Sequence, residues 1–387
     1  MATPKLKLGN DKWATKQRSL LAFNDEGNNF KSIPFNVERL SGGSYVGRNG
    51  LIQYAATEEP RIDFTNYSKG GLLLEPQRTN GCLYSKTLSS WTVLNGGSIQ
   101  TITDNDEVAP DGTTTASTLE FTSTGSSLIR HFSNTSYTSA KHSCSFWAKK
   151  VSGSGSVFFG LTDTETEFNP TDKWVRYEVN NITPTNFGLN LFLDFDFIGS
   201  TGDKIAVWGM QFEAGTYSTS TIPTAGSTAT RVQEFIENNY TGLTSASGTI
   251  FIDLNTKGID FNFAKIIALR NTATGDSIRF EPFQSGSAFK LGIFGLNGAS
   301  VLPPFPNEAT LPINNRTKIA FTFSGSNFKF SQDGNLVTGT YTGTPRQYNQ
   351  IGGANITGGA MHNGIIQDFR IYDEVLTDAE LQTLTTL

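Results

Sequence analysis

The chain has 387 residues, enough for two or three domains, and 30 Lys and Arg set against 35 Asp and Glu leave a net charge of −5. No basic block or stripe stands ready to neutralise a phosphate backbone, so nucleic acid is not an expected partner. Charged residues make up only 17% of the chain and there are 39 glycines, a balance that favours β structure with many turns.

The first residues, MATPKLKLGNDKW, lack the apolar core of a secretory signal, and no run approaches the roughly 20 apolar residues of a membrane span. The expectation is a soluble chain made in the cytoplasm, without membrane insertion. Two cysteines, Cys82 and Cys144, lie in separate strand-like segments and read as packed thiols rather than a disulfide framework or a metal site.

Residues 1–86 are polar and irregular, with few long strands. Within them, GLLLEPQRTN (71–80) carries a buried-looking run, Leu72 to Leu74, that breaks at once into Glu75, Pro76 and a polar hook. The leucines can pair into a small sheet, and Pro76 removes a backbone donor and ends that pairing. Arg78 offers a fork of five N–H donors to nearby carbonyls or to Glu75. Glu75, Arg78 and Asn80 are therefore read as a structural joint with no catalytic role.

Residues 87–231 are expected to form one strand-rich block. TDNDEVAPDGT (103–113) places Asp104, Asp106 and Asp111 in one acidic loop, hard oxygen ligands of the kind calcium uses but without EF-hand order. SVFFGL (156–161) and IAVWGMQF (205–212) read as strands. In GLNLFLDFDFI the residues Leu189, Leu191, Leu193, Phe195 and Phe197 share one face, the period-2 pattern of a strand with a buried side. Asp194 and Asp196 fall on the other face, roughly 6.6 Å apart at ~3.3 Å rise per residue, which suits a glycosidase acid pair. Neighbouring acids on an outward face are more commonly just solvated, and both are expected to be so. His131, His142 and His362 lie far apart, with no nucleophile elbow or metalloprotease helix around them, and read as surface or strand residues.

Residues 232–387 form the last expected block. TIFIDL (249–254) and KIAFTF (318–323) read as strands, and Asp333-Gly334 between two alternating runs marks a hairpin, because those residues tolerate the positive φ of a type I′ turn. Thr377-Asp378-Ala379-Glu380 is a capping box that should open a short terminal helix.

GLLLEPQRTN, followed by Tyr84-Ser85 and Trp91, resembles a pattern of phage virion proteins of the tail-fibre and head-spike type. The upstream GRNGLIQYAATEEPRIDF (47–64) is similar to the same family. WGMQFEAGTYSTSTIPTAGSTATR (208–231) resembles the end of a jelly-roll, carbohydrate-binding-module-like domain, and APDGTTTASTLEF (109–121) its first strand. GIIQDFRIYDEVLTDAEL (364–381) is similar to the last strand and helix of a concanavalin-like, laminin-G-type sandwich.

The resemblance implies an all-β protein with two antiparallel β-sandwiches behind an irregular N-terminal segment. The divisions are 1–86 for virion attachment, 87–231 for the jelly roll and 232–387 for the laminin-G-like sandwich. It also implies a non-enzymatic fibre or spike subunit of the virion, a homotrimer that touches other virion proteins through 1–86 and binds host cell-surface glycan. A polysaccharide depolymerase and a capsid-decorating protein are the alternatives. No cofactor is expected: Asp104, Asp106 and Asp111 read as a plain acidic turn, and the resemblance adds a structural calcium there, of the kind such jelly rolls carry, as the alternative. Tyr341, Tyr348 and Asn349, beside the hairpin of the last block, are the candidate sugar contacts, since aromatic faces stack on sugar C–H surfaces, although each taken singly is more commonly a packed or loop-lining residue.

Overall fold

The computed structural model describes residues 2–16, 19–24, 31–136, 140–161, 164–184, 190–239, 247–260, 264–286, 288–297, 300–301, 309–340, 348–353 and 361–387. They are nearly all β and divide into two compact units. Unit 1 is Met1–Gly50 with Ala55–Pro76 and Val232–Leu387; unit 2 is Leu51–Tyr54 with Gln77–Arg231.

Unit 2 is built from two five-stranded antiparallel sheets. One runs, in spatial order, Thr92–Val93, Gly125–Ser136, Asn190–Gly199, Ser156–Leu161 and Thr166–Phe168. The other runs Gln100–Val108, Thr114–Phe121, Lys204–Ala214, His142–Ser152 and Val175–Ile182. Alternating side chains of both enclose a core in which Phe146, Phe159 and Phe195 lie with ring centroids 4.4 to 5.0 Å apart. Leu193, Phe195 and Phe197 are fully buried there, as the period-2 pattern requires. Leu189 and the side chain of Leu191 lie outside the described residues.

Unit 1 centres on Ser247–Gly258, flanked by Arg316–Ser324 and Asn363–Tyr372, with Ile250, Ile252, Phe321 and Phe369 facing a large apolar core. Asp333 and Gly334 both take positive φ, 48° and 84°, and join Asn327–Gln332 to Asn335–Thr340 as the hairpin signal predicts. The helix Asp378–Thr385 starts with the expected capping box: the Thr377 side chain accepts from the Glu380 backbone N–H, and the Glu380 carboxylate accepts from that of Thr377. Leu381 and Leu384 dock on Phe251, Ala320 and Tyr372.

The structure divides the first 86 residues differently from the sequence reading. Leu6–Gly9 pairs with Asn363–Tyr372, Leu6 opposite Ile371 and Gly9 opposite Asp368. Gly71–Leu74 pairs with the same strand, Leu72 opposite Ile366. Leu6, Leu8, Leu20, Phe35, Val37, Leu72 and Leu74 join the core of 232–387. The physical reason is burial: short apolar strands with a free edge gain by completing a sheet whose other strands come from far along the chain.

Candidate functional site

The joint residues stand in two settings. In unit 1, Glu75 belongs to a buried ionic quartet with Arg39, Arg61 and Glu234, all 3% exposed or less. Arg61 Nη1 donates to Glu75 at 2.7 Å and its Nε to Glu234 at 2.9 Å; Arg39 and Arg61 each also place an Nη group on Glu234. Burial alone would lower the Arg61 pKa, but Glu234 and Glu75 together hold it above the ordinary value. In unit 2, Asn80 spends its whole amide. Nδ2 donates to the carbonyls of Met210 (3.1 Å) and Ile222 (2.8 Å), and Oδ1 accepts from the N–H of Cys82 (2.9 Å) and Phe212 (3.0 Å). Arg78 lies with its guanidinium 5.0 Å from the Tyr217 ring centroid. These residues hold structure.

Asp104, Asp106 and Asp111 do not form the expected loop. Asp104 and Asp106 stand on the Gln100–Val108 strand, and only Asp111 is in the turn that follows. Asp104 accepts from Ser117 (2.6 Å), Asp106 from Thr118 (2.7 Å) and Lys204 (2.8 Å), and Asp111 from Lys86 (3.2 Å). Their oxygens are committed to different partners, so the three residues do not fit a calcium. Among the described residues no group of three or more His, Cys, Asp or Glu side chains is placed to hold a metal ion.

The sugar candidates of the last block also change. Tyr341 lies outside the described residues. Tyr348 is 3% exposed and meets Phe323 edge-on at 6.1 Å inside the core, so it presents no stacking face. Asn349 accepts from the Thr272 N–H at 2.9 Å and donates to its hydroxyl at 2.8 Å, which pins a loop. Asp194 is not solvated: Arg130 clamps it through two bonds of 2.7 Å, and it is buried. Asp196 is partly exposed, with its pKa raised by burial and then by Asp194. The three histidines are buried; His131 and His142 stand on strands, as one of the two expected settings, and none is on the surface. Burial pushes His131 down to about 4 and His362 down to about 3.

One arrangement that the sequence reading missed stands on the sheet of unit 2 that includes His142–Ser152. On that strand Cys144, Phe146 and Ala148 face the core, while Trp147 and Lys149 face outward. Trp147 lies between Arg176 and Trp208 on the neighbouring strands. Trp208 is fully buried, whereas Trp147 and Trp174 keep part of their surface in solvent. A register shift opposite Ser145 and Trp147 aims the Trp147 ring, and Gly209, at φ +65°, sits at that bulge. A Cβ at Gly209 would come within 3.2 Å of Trp147 Cδ1. The Lys149 ammonium lies 5.6 Å from the Trp174 centroid. Each outer indole is fixed by its N–H, Trp147 to the Thr221 hydroxyl at 3.4 Å and Trp174 to the Val108 carbonyl at 2.8 Å.

Ion pairs stand beside the two rings, Lys149 with Glu107 (3.0 Å) and Arg176 with Glu178 (3.1 Å), and Lys204, farther along the sheet opposite Ser152, pairs with Asp106 (2.8 Å). The Lys204 bond lowers the Asp106 pKa and raises that of Lys204. Trp147 and Trp174 are partly buried and pack on Ile52, Ala109, Ala116 and Trp208; the indole surface they keep in solvent, with donors and acceptors at its edge, is the kind that a polyhydroxylated ring can contact through C–H groups and hydroxyls. The signal was present in SCSFWAKK, where Trp147 is out of phase with the core-facing aromatics of its strand.

Residues 236–382, all in unit 1, match the family model described as the concanavalin A-like lectin/glucanases superfamily, Laminin_G_3. No curated protein sequence matches the chain. Similar solved structures include the CBM40 of Ruminococcus gnavus IT-sialidase bound to alpha2,3 sialyllactose, at 15% identity over 36% of this chain and 83% of that one, TM-score 0.28. Domain 4 of AbnA, a GH43 extracellular arabinanase from Geobacillus stearothermophilus in complex with arabinotriose, is similar at 14% identity over 45% of this chain and 82% of that one, TM-score 0.32. Domains LG4-5 of the mouse laminin alpha1 chain are similar at 9% identity over 65% and 86%, TM-score 0.24. At such scores they carry no functional weight, and function is read from this chain's own residues.

Proposed function

We propose that the chain is a subunit of a phage virion fibre or spike that adheres to host-surface glycan without cleaving it, and that the Trp147–Trp174 face holds the sugar. The observation that carries the adhesive part is the pair of partly exposed, hydrogen-bonded indoles with ion pairs beside them. The lectin and glucanase family matched by residues 236–382 is consistent with a glycan ligand and leaves room for a second site in unit 1. The virion part rests on the resemblance of GLLLEPQRTN and its flanks. Virion attachment, first assigned to 1–86, passes to unit 1 as a whole, because the strands of 1–76 are woven into its sheet. Trimeric display raises avidity by ~10² to 10⁴ where linked sites engage together, so one shallow face suffices.

The non-enzymatic reading is supported by the Arg130 clamp, which withholds Asp194 from acid–base work. The test is a host-cell pull-down of the full chain beside its Trp147→Ala/Trp174→Ala variant, with released reducing sugar assayed in parallel. Binding by the native chain alone, without sugar release, supports the proposal. Sugar release abolished by Asp196→Asn would establish a depolymerase, and equal binding by both proteins would point to decoration or to another surface.

A further inference from the structure

The sheet of unit 2 that runs from Thr92–Val93 to Thr166–Phe168 carries a carboxylate that the fold leaves without a partner. On its central strand, Asn190–Gly199, Leu193, Phe195 and Phe197 point into the core, so Asp194, Asp196 and Ile198 stand on the opposite face. Arg130 lies directly across from Asp194 and binds it through both oxygens at 2.7 Å. Asp196, the next residue on that face, has Leu128 across from it on one neighbouring strand and Phe158 on the other. Ile198, 42% exposed, follows.

We propose that Asp196 is the centre of a second binding site, one for the ammonium group of an amino sugar. The proposal does not rest on the indoles, since Trp147 stands on the other sheet of the unit.

Among the described residues Asp196 makes no hydrogen bond and no ion pair, although it is partly buried with an aliphatic and an aromatic side chain beside it. A carboxylate held there loses hydration and gains no donor from the protein in exchange; burial, and then the charge of Asp194, raises its pKa. A cation relieves that cost. The sheet does not supply one, because Arg130 is the one lysine or arginine in its five strands and is clamped on Asp194.

The neighbours select the kind of cation. An ammonium offers three N–H donors to Asp196, and the C–H surface of a pyranose that carries it meets Leu128 and Phe158. In a hexosamine the nitrogen is bonded to the ring itself, so charge and apolar surface arrive together. A lysine side chain brings the same charge on a flexible stem that loses rotamer freedom when held. Gly160 stands across from Asp194, and a Cβ there would lie 2.9 Å from the Thr164 carbonyl oxygen, so backbone walls that side. The rest of an oligosaccharide runs out past Ile198.

The test titrates the full chain by calorimetry at about pH 6, where alkyl amines are protonated, with glucosamine trimer, its fully N-acetylated counterpart and trilysine. The proposal expects the free-amine trimer to bind at least ~10-fold tighter than the acetylated one, an advantage that shrinks between about 20 mM and about 500 mM salt. Asp196→Asn, which keeps the size of the side chain, should erase the advantage. Phe158→Leu should weaken the free-amine trimer while keeping its lead over the acetylated form. The advantage is a ratio read within one protein, so a loss of folded material does not imitate its disappearance. Equal binding of the two trimers by the native chain, no binding by the free-amine trimer, or a preference that survives Asp196→Asn would overturn the proposal. Trilysine bound as tightly as the trimer would overturn the sugar and give the carboxylate to a protein partner.

Discussion

Arg61 and Glu75, 14 positions apart in sequence, meet inside unit 1 with Nη1 and Oε2 2.7 Å apart, and the same guanidinium reaches Glu234 through Nε at 2.9 Å. One arginine thus bridges two carboxylates that stand where the chain leaves this unit, at Glu75, and where it re-enters, at Glu234. Removing one partner of a buried pair leaves charge without compensation, at a cost of about 3 to 5 kcal/mol. Arg61→Met should lower the stability of unit 1 by that amount in urea unfolding. A loss below ~1 kcal/mol would show that the quartet relaxes or admits water easily.

Asn80 closes unit 2 in a comparable way, without charge. Asn80→Ala strands two buried N–H groups and two carbonyls that its amide now satisfies, at a cost of roughly 3 kcal/mol or more for the set. Limited proteolysis of unit 2 at a fixed urea concentration reads this as faster cleavage. Unchanged cleavage would mean that the backbone groups find other partners.

How much of this was legible in the sequence depended on whether a signal was local. The hairpin at Asp333-Gly334, the capping box at Thr377 and the alternation through Phe195 depend on neighbours a few residues away, and each appears as read. The partner of Leu6–Gly9 is Asp368–Ile371, a pairing no local period encodes, so the first segment looked independent. A chain ended at residue 231 would leave Leu6–Gly9 and Gly71–Leu74 without Asn363–Tyr372, the strand that joins both to the sheet of unit 1. The joint at 71–80 was legible as a break in pattern, but its chemistry depends on Arg39, Arg61 and Glu234, which arrive from elsewhere. Tyr348 packs in the core rather than offering a sugar face, and an aromatic beside a hairpin reads the same from sequence whether it faces solvent or core. Trp147 was missed because a lone aromatic on the polar side of a strand is visible only once the core face is fixed by Phe146 and its neighbours.

The buried histidines make stability depend on pH. His131 titrates near 4 and His362 near 3 when folded, both well below the ordinary value of about 6.5, because burial disfavours the charged ring. The unfolded chain takes up protons near pH 6.5 that the folded chain refuses. Stability is therefore full above about pH 6.5 and is lost as pH falls toward the folded values, with a ceiling of roughly 3 kcal/mol from His131. Urea midpoints at about pH 7 and about pH 4.5 should differ in that direction, and His131→Gln, which can still accept from the Leu83 N–H, should show a smaller difference. An equal difference in the variant would place the acid sensitivity in other groups.

The central claim is that sugar rests on Trp147 and Trp174. The chain has 5 tryptophans, Trp13, Trp91, Trp147, Trp174 and Trp208, so its indole N–H resonances form a small set that single substitutions can assign. Titrating a bound oligosaccharide into the isotope-labelled chain and following those signals is the direct measurement. The account predicts that the Trp147 and Trp174 signals move together with sugar concentration while that of Trp91, buried in the sandwich core, stays in place. Saturable binding that leaves Trp147 and Trp174 unmoved would contradict it and send the search for the site to another surface.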